Sequence, residues 1–267
     1  MRRARLRAPG EGNLPAFAGR EARQEGGQRM SSNRVAVVVG VGPGLGAAVS
    51  RRFASAGFSI GLVARTAATC EAVQREIEQA GGRALSVPAD AADPASVAAA
   101  FARVKEALGP AEAMIYNAGV FRMAGALELT PRELEDAWKI NCLGGFLSAQ
   151  AALPDMLARG RGTLLFTGAT ASLRGGARFA ALAVGKFGLR ALAQSLAREL
   201  GPRGIHVAHV IIDGLIDTPR VRAMAPDRDA AALLAPEALA ETYFQLHAQP
   251  PSAWTHEIDV RPSAEKF

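Results

Sequence analysis

The sequence predicts an α/β fold: one doubly wound parallel sheet of seven strands, with helices on both faces, in a single domain. Three observations support this class. From Arg34 onward, short β-rich apolar runs alternate with segments of helical periodicity. No composition break or linker divides the chain after that residue. The 267 residues, of which 49% are hydrophobic, suffice to bury one large core.

The strands are predicted where β-branched and other apolar residues form short runs. Seven such runs cover residues 34–40, 59–64, 84–87, 112–116, 163–167, 205–211 and 256–260. Helices are predicted between them, because apolar residues recur three and four positions apart, as at Val97, Phe101, Val104 and Leu108. The two longest helical patterns cover residues 131–159 and 180–200.

The first 30 residues differ in composition from the rest. Residues 1–29 contain seven Arg and three Glu, which accounts for +4 of the net charge of +6. The arginines are mixed with Gly, Pro and Gln, so we expect a disordered basic extension at 1–30 and a folded domain at 31–267. Because the excess positive charge lies in this extension rather than on a folded face, we expect no nucleic-acid partner.

Composition also argues against other classes of protein. No run approaches the roughly 20 consecutive apolar residues of a membrane-spanning helix, so we expect no membrane partner. The two cysteines, Cys70 and Cys142, cannot form a disulfide framework, which favours a reducing, cytoplasmic location. His206 and His209 fall on opposite faces of the sixth strand, and the other two histidines are distant in sequence. We therefore expect neither a metal site nor a histidine base.

A glycine-rich turn follows the first strand. Residues 40–46 read Gly-Val-Gly-Pro-Gly-Leu-Gly and lead into a helical segment that begins with small residues. In such a context backbone N–H groups approach a phosphate closely, and the helix dipole attracts its charge. Glycine-rich turns between a strand and a helix also occur for packing reasons alone. The turn therefore predicts a dinucleotide site, with packing as the alternative.

Five motifs, in order, resemble those of the short-chain dehydrogenase/reductase family. The first turn of that family reads T-G-x-x-x-G-x-G; Gly40, Gly44 and Gly46 match it, Leu45 lies between the last two, and Val39 replaces the Thr. The later matches are Asp90, Asn117-Ala118-Gly119, Asn141 and Lys186. The resemblance covers residues 34–267 and implies a Rossmann-type fold that binds a nicotinamide dinucleotide.

The resemblance also implies which residues bind the adenosine half of the cofactor. The residue after the second strand faces the adenosine ribose, where Arg65 can pair with a 2′-phosphate and an NAD site has a carboxylate. NADP(H) is therefore favoured over NAD(H), with a solvated surface charge as the alternative for Arg65. Asp90 matches the family's adenine contact, or it forms a turn, since Asp93 is the better helix cap. Residues 117–119 would lie against the cofactor ribose.

Two polar residues fall on apolar helical stripes. Lys186 lies between Leu182 and Leu189, where lysine is rare unless its amine reaches solvent, and by resemblance it binds the nicotinamide ribose. Asn141 shares a stripe with Leu134, Ala137 and Trp138, which predicts that its amide is buried. The matching Asn of the family holds a water in a proton relay; a helix kink or an internal polar tie is the alternative.

Thr218 and the segment after it also resemble parts of this family. Thr218 matches the family's Thr that faces the nicotinamide amide or the phosphates, and capping of a helix before Pro219 is the alternative. Asp213 stands where the family has Pro. Residues 220–236 resemble the family's mobile substrate lid.

The chain departs from the family at its chemical centre. The family motif is Y-x-x-x-K, and here Leu182 occupies the Tyr position before Lys186. Ala169 occupies the position of the family's catalytic Ser. Loss of a general acid typically costs about 100- to 10,000-fold in rate. Thr170 and Ser172 are close enough in sequence to supply a hydroxyl, although an aliphatic alcohol needs a base behind it. Lys186 is a second candidate donor, if burial lowers its pKa.

Two functions remain open on the sequence. The first is an atypical NADP(H)-dependent oxidoreductase that transfers a hydride between the nicotinamide and a small-molecule carbonyl or alcohol. The second is a cofactor-binding protein without turnover, acting as an NADP(H) sensor or an inactive subunit. By resemblance, the helices at residues 131–159 and 180–200 pair across a two-fold axis, so we expect a homodimer or homotetramer.

Overall fold

The computed structural model describes residues 34–264, which form one compact unit. The basic extension predicted at residues 1–30 lies outside the described residues. One sheet contains seven strands, all paired in parallel, in the order β3-β2-β1-β4-β5-β6-β7. The strands are β1 (Val35–Val39), β2 (Ser59–Ala64), β3 (Arg83–Pro88), β4 (Ala113–Tyr116), β5 (Gly162–Thr167), β6 (Ile205–Ile212) and β7 (Glu257–Val260). The predicted fold class is confirmed, and each strand was predicted to within one residue at either end.

The helices connect these strands across both faces of the sheet. They are α1 (Leu45–Ser55), α2 (Ala67–Gln79), α3 (Pro94–Leu108), α4 (Pro131–Trp138), α5 (Gly144–Arg159), α6 (Ala180–Leu200), α7 (Pro219–Met224) and α8 (Pro236–Ala248). None of the helices within residues 34–264 is long and apolar enough to cross a membrane. Asp93 caps α3 as predicted, since its Oδ2 accepts a hydrogen bond from the Ser96 N–H at 2.8 Å.

The continuous helix predicted over residues 131–159 is interrupted by a wide turn. Lys139–Leu143 forms one π-helical turn between α4 and α5. The predicted burial of Asn141 and Ala137 is confirmed, but Trp138 is 37% exposed, so its predicted place on the buried stripe was wrong. Trp138 is the last residue of α4, and the π-helical turn that begins after it changes the α-helical spacing between Trp138 and Asn141.

The core has two layers because successive strand residues point to opposite faces of the sheet. Val35 and Val37 of β1 pack with α3, α5 and α6, whereas Ala36 and Val38 pack with α1, α2 and α8. Both faces are apolar, which explains why the strands read as continuous rather than alternating hydrophobic runs. The two layers hold the carboxyl ends of β1 and β4 side by side.

The glycine turn after β1 allows a very close approach to the end of β4. Gly40 has a φ of +99°, a conformation that favours glycine, and a Cβ added there would lie 2.2 Å from the Ala118 nitrogen. A Cβ on Gly46 would lie 2.5 Å from the Gly40 carbonyl oxygen. These two glycines are therefore required for packing of the turn, whatever binds outside it.

We predict that Gly40→Ala lowers the free energy of unfolding by at least about 2 kcal/mol, because the added methyl combines backbone strain with a backbone clash. Gly42→Ala is the matched control in the same turn, since its Cβ would meet no atom within 4 Å. We expect the control to stay within about 0.5 kcal/mol of wild type in urea unfolding. Equal losses in the two variants would contradict the packing role assigned to Gly40.

Candidate functional site

A cleft of about 620 Å³ opens at the carboxyl ends of the central strands. Its walls come from the turns after β1, β2, β3 and β4, from the turn between α4 and α5, and from the segment after β6. The lining residues are 39–46, 63–66, Thr69, 89–91, 117–120, Ile140, 214–216, Thr218, Arg220 and Val221. The crevice where the strand order reverses is the usual ligand site of open parallel sheets, and this volume suits a large organic ligand.

The glycine turn presents an uncapped helix end to this cleft. Helix α1 begins at Leu45 with no side-chain cap and no acidic residue in its first turn. A Cβ on Gly42 would point into open space, whereas one on Gly44 would lie 2.5 Å from the Thr218 Cγ2. The free N–H groups and the dipole of such a helix end attract phosphate. These features fit the pyrophosphate of a dinucleotide.

Thr218 lies close against Gly44. Its Oγ1 also accepts a hydrogen bond from the Val221 N–H at 3.2 Å and so caps α7. The capping alternative is thus present in the structure, and the side chain still lines the cleft.

Two exposed arginines line the cleft. Arg65 follows β2, where the sequence predicted a partner for a 2′-phosphate, and Arg220 lies in α7. Within residues 34–264, neither guanidinium has an ion-pair partner, so both are available to an anionic ligand. Sequence reasoning missed Arg220, because its segment was assigned to a lid without a place relative to the phosphates.

Asp90 lines the cleft but already has a structural role. Its Oδ1 accepts a hydrogen bond from the Ala92 N–H at 2.9 Å, and its own N–H donates to the Ser96 Oγ at 3.0 Å. The turn-forming alternative is therefore realised. Asp90 is nevertheless exposed and borders the cleft.

The floor of the cleft, as we use the term, is the segment after β4 that lines it, Asn117, Ala118 and Gly119. The Asn117 Nδ2 donates to the Gly40 carbonyl oxygen at 2.8 Å, which ties the end of β4 to the glycine turn. Beyond it, a Cβ on Gly119 would lie 3.1 Å from the Asn141 Oδ1 and 3.7 Å from the Lys186 Nζ. Gly119 thus lets the backbone pass close to both predicted catalytic residues.

Asn141 is completely buried in the π-helical turn and holds the loop after β4. Its Nδ2 donates to the Val120 carbonyl oxygen at 3.0 Å, and its Oδ1 accepts from the Val120 N–H at 3.1 Å. Of the two alternatives given for this residue, a helix kink and an internal polar tie, the polar tie is observed, and the residue lies in a π-helical turn. Asn141 does not line the cleft, although Val120 and Ile140 beside it do.

Lys186 is buried beneath Gly119. Its side chain is 6% exposed, and Nζ donates to the Thr167 carbonyl oxygen at 2.7 Å. Burial lowers the pKa of this ammonium to about 8, because desolvation penalises the charged form. The amine therefore titrates close to physiological pH.

The positions of the family Tyr and Ser hold no hydroxyl, and the two tyrosines lie elsewhere. Tyr116 donates to the Ile140 carbonyl oxygen, and the Tyr243 hydroxyl lies 2.7 Å from the Thr167 Oγ1. Both rings are fully buried, and burial raises the pKa of each phenol above its ordinary value. Neither tyrosine is placed to replace the one missing at Leu182.

The two candidate hydroxyls, Thr170 and Ser172, point to different surroundings. Ser172 is fully buried; its Oγ accepts from the Ala169 N–H at 3.1 Å and lies 3.4 Å from the His209 Nε2. Thr170 is half-buried, and its Oγ1 donates to the Asp213 Oδ1. Neither residue is among those that line the cleft.

A polar chain continues behind Ser172, from the buried His209 to the partly exposed Glu257 and Arg190. The His209 Nδ1 lies 3.1 Å from Glu257, and Arg190 binds both oxygens of Glu257 at 2.7 Å. Burial lowers the pKa of His209 to about 4, and Arg190 lowers the pKa of Glu257. Sequence reasoning missed this chain, because its members come from β6, β7 and α6. Within residues 34–264, no group of three or more potential ligands could hold a metal ion.

Comparisons with known proteins find one family over most of the chain. Residues 34–229 match the family model described as short chain dehydrogenase. A short-chain dehydrogenase/reductase of Hericium erinaceus, eriH, is 34% identical over 196 residues, which is 71% of this chain and 77% of that protein.

Two crystal structures are similar over almost the whole folded region. A short-chain dehydrogenase from Rhodopseudomonas palustris is 41% identical, with a TM-score of 0.76, over 86% of this chain and 99% of that one. A metagenomic short-chain oxidoreductase in complex with NADP is 29% identical, with a TM-score of 0.75, over 86% of this chain and 97% of that one.

The low pKa of Lys186 predicts a pH-dependent stability. The folded group has a pKa of about 8 and the ordinary value is 10.5, so the unfolded chain binds more protons between these pH values. The stability contributed by this group therefore rises with pH across that window. We predict that Lys186→Met raises the free energy of unfolding by about 2 kcal/mol over wild type at pH 7. This difference shrinks between pH 8 and 10 in urea unfolding.

Lys105→Met is the matched control, because the Lys105 side chain is 57% exposed. Its difference from wild type should not change with pH. A Lys186→Met difference that stays constant from pH 7 to 10 would show that the buried amine does not titrate in this window.

Proposed function

Because this chain belongs to the short-chain dehydrogenase/reductase family, we propose that it is an NADP(H)-dependent oxidoreductase that acts on a small carbonyl or alcohol. The observation that carries the proposal is the cleft at the switch between β1 and β4, where an uncapped helix end and two arginines face one space. When bound there, the cofactor supplies or accepts the hydride. The protein binds and orients the cofactor and the substrate, and it exchanges the proton.

The residues divide into binding and chemical groups. Gly40, Gly44, Leu45 and Gly46 shape the pyrophosphate end of the cleft, and residues 117–119 form its floor. Asp90 and Thr218 border the adenine and nicotinamide ends, as the family resemblance implies. Lys186 and Asn141 lie together under Gly119, which supports a role in holding the nicotinamide ribose and the proton path. Of the two hydroxyls, Thr170 is favoured over Ser172, which is fully buried and engaged inward.

The oligomeric state and the cellular location are also part of the proposal. We propose a homodimer or homotetramer through α4, α5 and α6, which is supported by four partly exposed apolar side chains on these helices: Trp138, Phe146, Val184 and Phe187. The unpaired cysteines Cys70 and Cys142 support a reducing, cytoplasmic location.

The first test is a calorimetric titration with NADPH and NADH, followed by a screen of carbonyls and alcohols. We predict that Arg65→Ala raises the Kd for NADPH about 10- to 100-fold and changes the Kd for NADH less than about twofold, because only NADPH has the 2′-phosphate. Arg75→Ala, an exposed arginine on α2, should change neither value. An equal loss for both cofactors would remove the basis for preferring NADP(H).

The missing hydroxyls provide a second test, which separates an enzyme from a cofactor-binding protein. We predict that Leu182→Tyr with Ala169→Ser raises kcat for carbonyl reduction at least about 100-fold, because it restores a general acid beside Lys186. The control is Leu182→Phe with Ala169→Ser, which adds the same ring without the phenol. Equal rates for these two variants would favour the alternative function, an NADP(H) sensor or inactive subunit.

A further inference from the structure

Thr170 and Asp213 meet at the edge of the sheet where the cleft opens. Thr170 begins the short helical turn after β5, and Asp213 directly follows β6. Gly214, the next residue, lines the cleft, and the carbonyl of Thr167 at the end of β5 holds the Lys186 amine. The pair thus lies on two adjacent strand ends, one residue from the cleft lining at Gly214 and three residues along the chain from the carbonyl that holds Lys186.

The chemistry of this pair is that of an alcohol with a base behind it. The Thr170 hydroxyl donates its hydrogen bond to the Asp213 Oδ1, which leaves the lone pairs of Oγ1 as acceptors. Asp213 is 8% exposed, whereas Thr170 is half-buried and retains accessible surface. A proton reaching Oγ1 from outside can be matched by transfer of the hydroxyl's own proton to the carboxylate.

One arginine and one backbone carbonyl, both near the end of β7, hold Asp213 in place. Arg261, which follows β7, has its Nη2 3.3 Å from the Asp213 Oδ2 and also binds Asp259. The Asp213 N–H donates to the Val260 carbonyl oxygen at 2.9 Å. Asp213 is thus fixed through both its side chain and its backbone, with one oxygen directed to Thr170.

We propose that Thr170 and Asp213 form the proton-accepting pair of the active site, in place of the family hydroxyls lost at Leu182 and Ala169. The inference rests on the oxidoreductase function proposed above. As an alcohol is oxidised, its O–H proton moves to the Thr170 Oγ1 and the Thr170 proton moves to the Asp213 carboxylate. A bound oxidised nicotinamide would accept the hydride that the alcohol carbon gives up. Carbonyl reduction uses the same path in reverse. Thr170 is the catalytic residue, and Asp213 is a positioning and proton-storing residue that acts through it.

The test compares variants that remove the proton path with variants that keep the shape. Thr170→Val and Asp213→Asn should each lower kcat about 100-fold or more, because a methyl cannot relay a proton and an amide cannot accept one. KM and the Kd for NADPH should stay within about threefold. Thr170→Ser restores the hydroxyl and should recover kcat to within about fivefold of wild type. The double variant should be no slower than either single variant.

Two controls separate proton transfer from structural support. Asp259→Asn weakens the second ion pair of Arg261, and Asp259 has no contact with Thr170. Thr163→Val makes the same isosteric change as Thr170→Val, but at the opposite end of β5. Both should retain wild-type kcat. A loss in Asp259→Asn equal to that in Asp213→Asn would overturn the inference, since the Arg261 network would then act through structure alone.

A measurement without substrate tests the contact itself. The free energies of unfolding of the two single variants and the double variant form a cycle, and we expect a coupling between Thr170 and Asp213 that is absent between Thr163 and Asp213. A coupling of zero would overturn the proposed pair. Turnover by wild type with full activity in both single variants would overturn it while leaving the oxidoreductase function intact. Binding of NADPH without turnover in wild type would overturn both.

Discussion

The contact between the turn after β1 and the end of β4 determines where the cleft forms and what lies beneath it. Gly40 lies so close to Ala118 that no side chain fits between them, and the Asn117 amide bonds to the Gly40 carbonyl. This contact fixes two strand ends from which the connections diverge to opposite faces of the sheet. The space above it is the cleft, and the backbone that leaves it passes over Asn141 and Lys186 at Gly119.

Leu182 and Ala169 carry no hydroxyl, and the polar groups that neighbour Ala169 bond within the protein. Ser172, His209, Glu257 and Arg190 form a continuous chain that bonds mainly to itself. This chain joins the turn after β5 to β6, β7 and α6, so it stabilises the position of Ala169 and Thr170 rather than contacting a ligand. Low dielectric strengthens such a network only when its members are paired, and here they are.

Much of this structure was readable from the sequence, for physical reasons that differ between elements. The strands were predicted to within one residue because their apolar runs end at Gly, Pro, Asn or a charged residue, and Asp93 was recognised as a cap by the Pro that follows it. Trp138 was misplaced because periodicity alone assumes an α-helix, and nothing in the residues announces a π-helical turn. Local sequence could not separate Thr170 from Ser172, since their partners Asp213 and His209 lie about 40 residues away.

The π-helical turn at Lys139–Leu143 has a consequence for how this helix tolerates changes in length. An α-helix advances about 100° per residue, so an insertion or deletion normally rotates every side chain beyond it. A π-helical turn accommodates one surplus residue, and its removal would restore an ordinary turn while α4 and α5 kept their relative phase. The sheet and its helices would keep their arrangement after such a deletion, but the Asn141 amide would no longer hold the backbone of Val120, which lines the cleft.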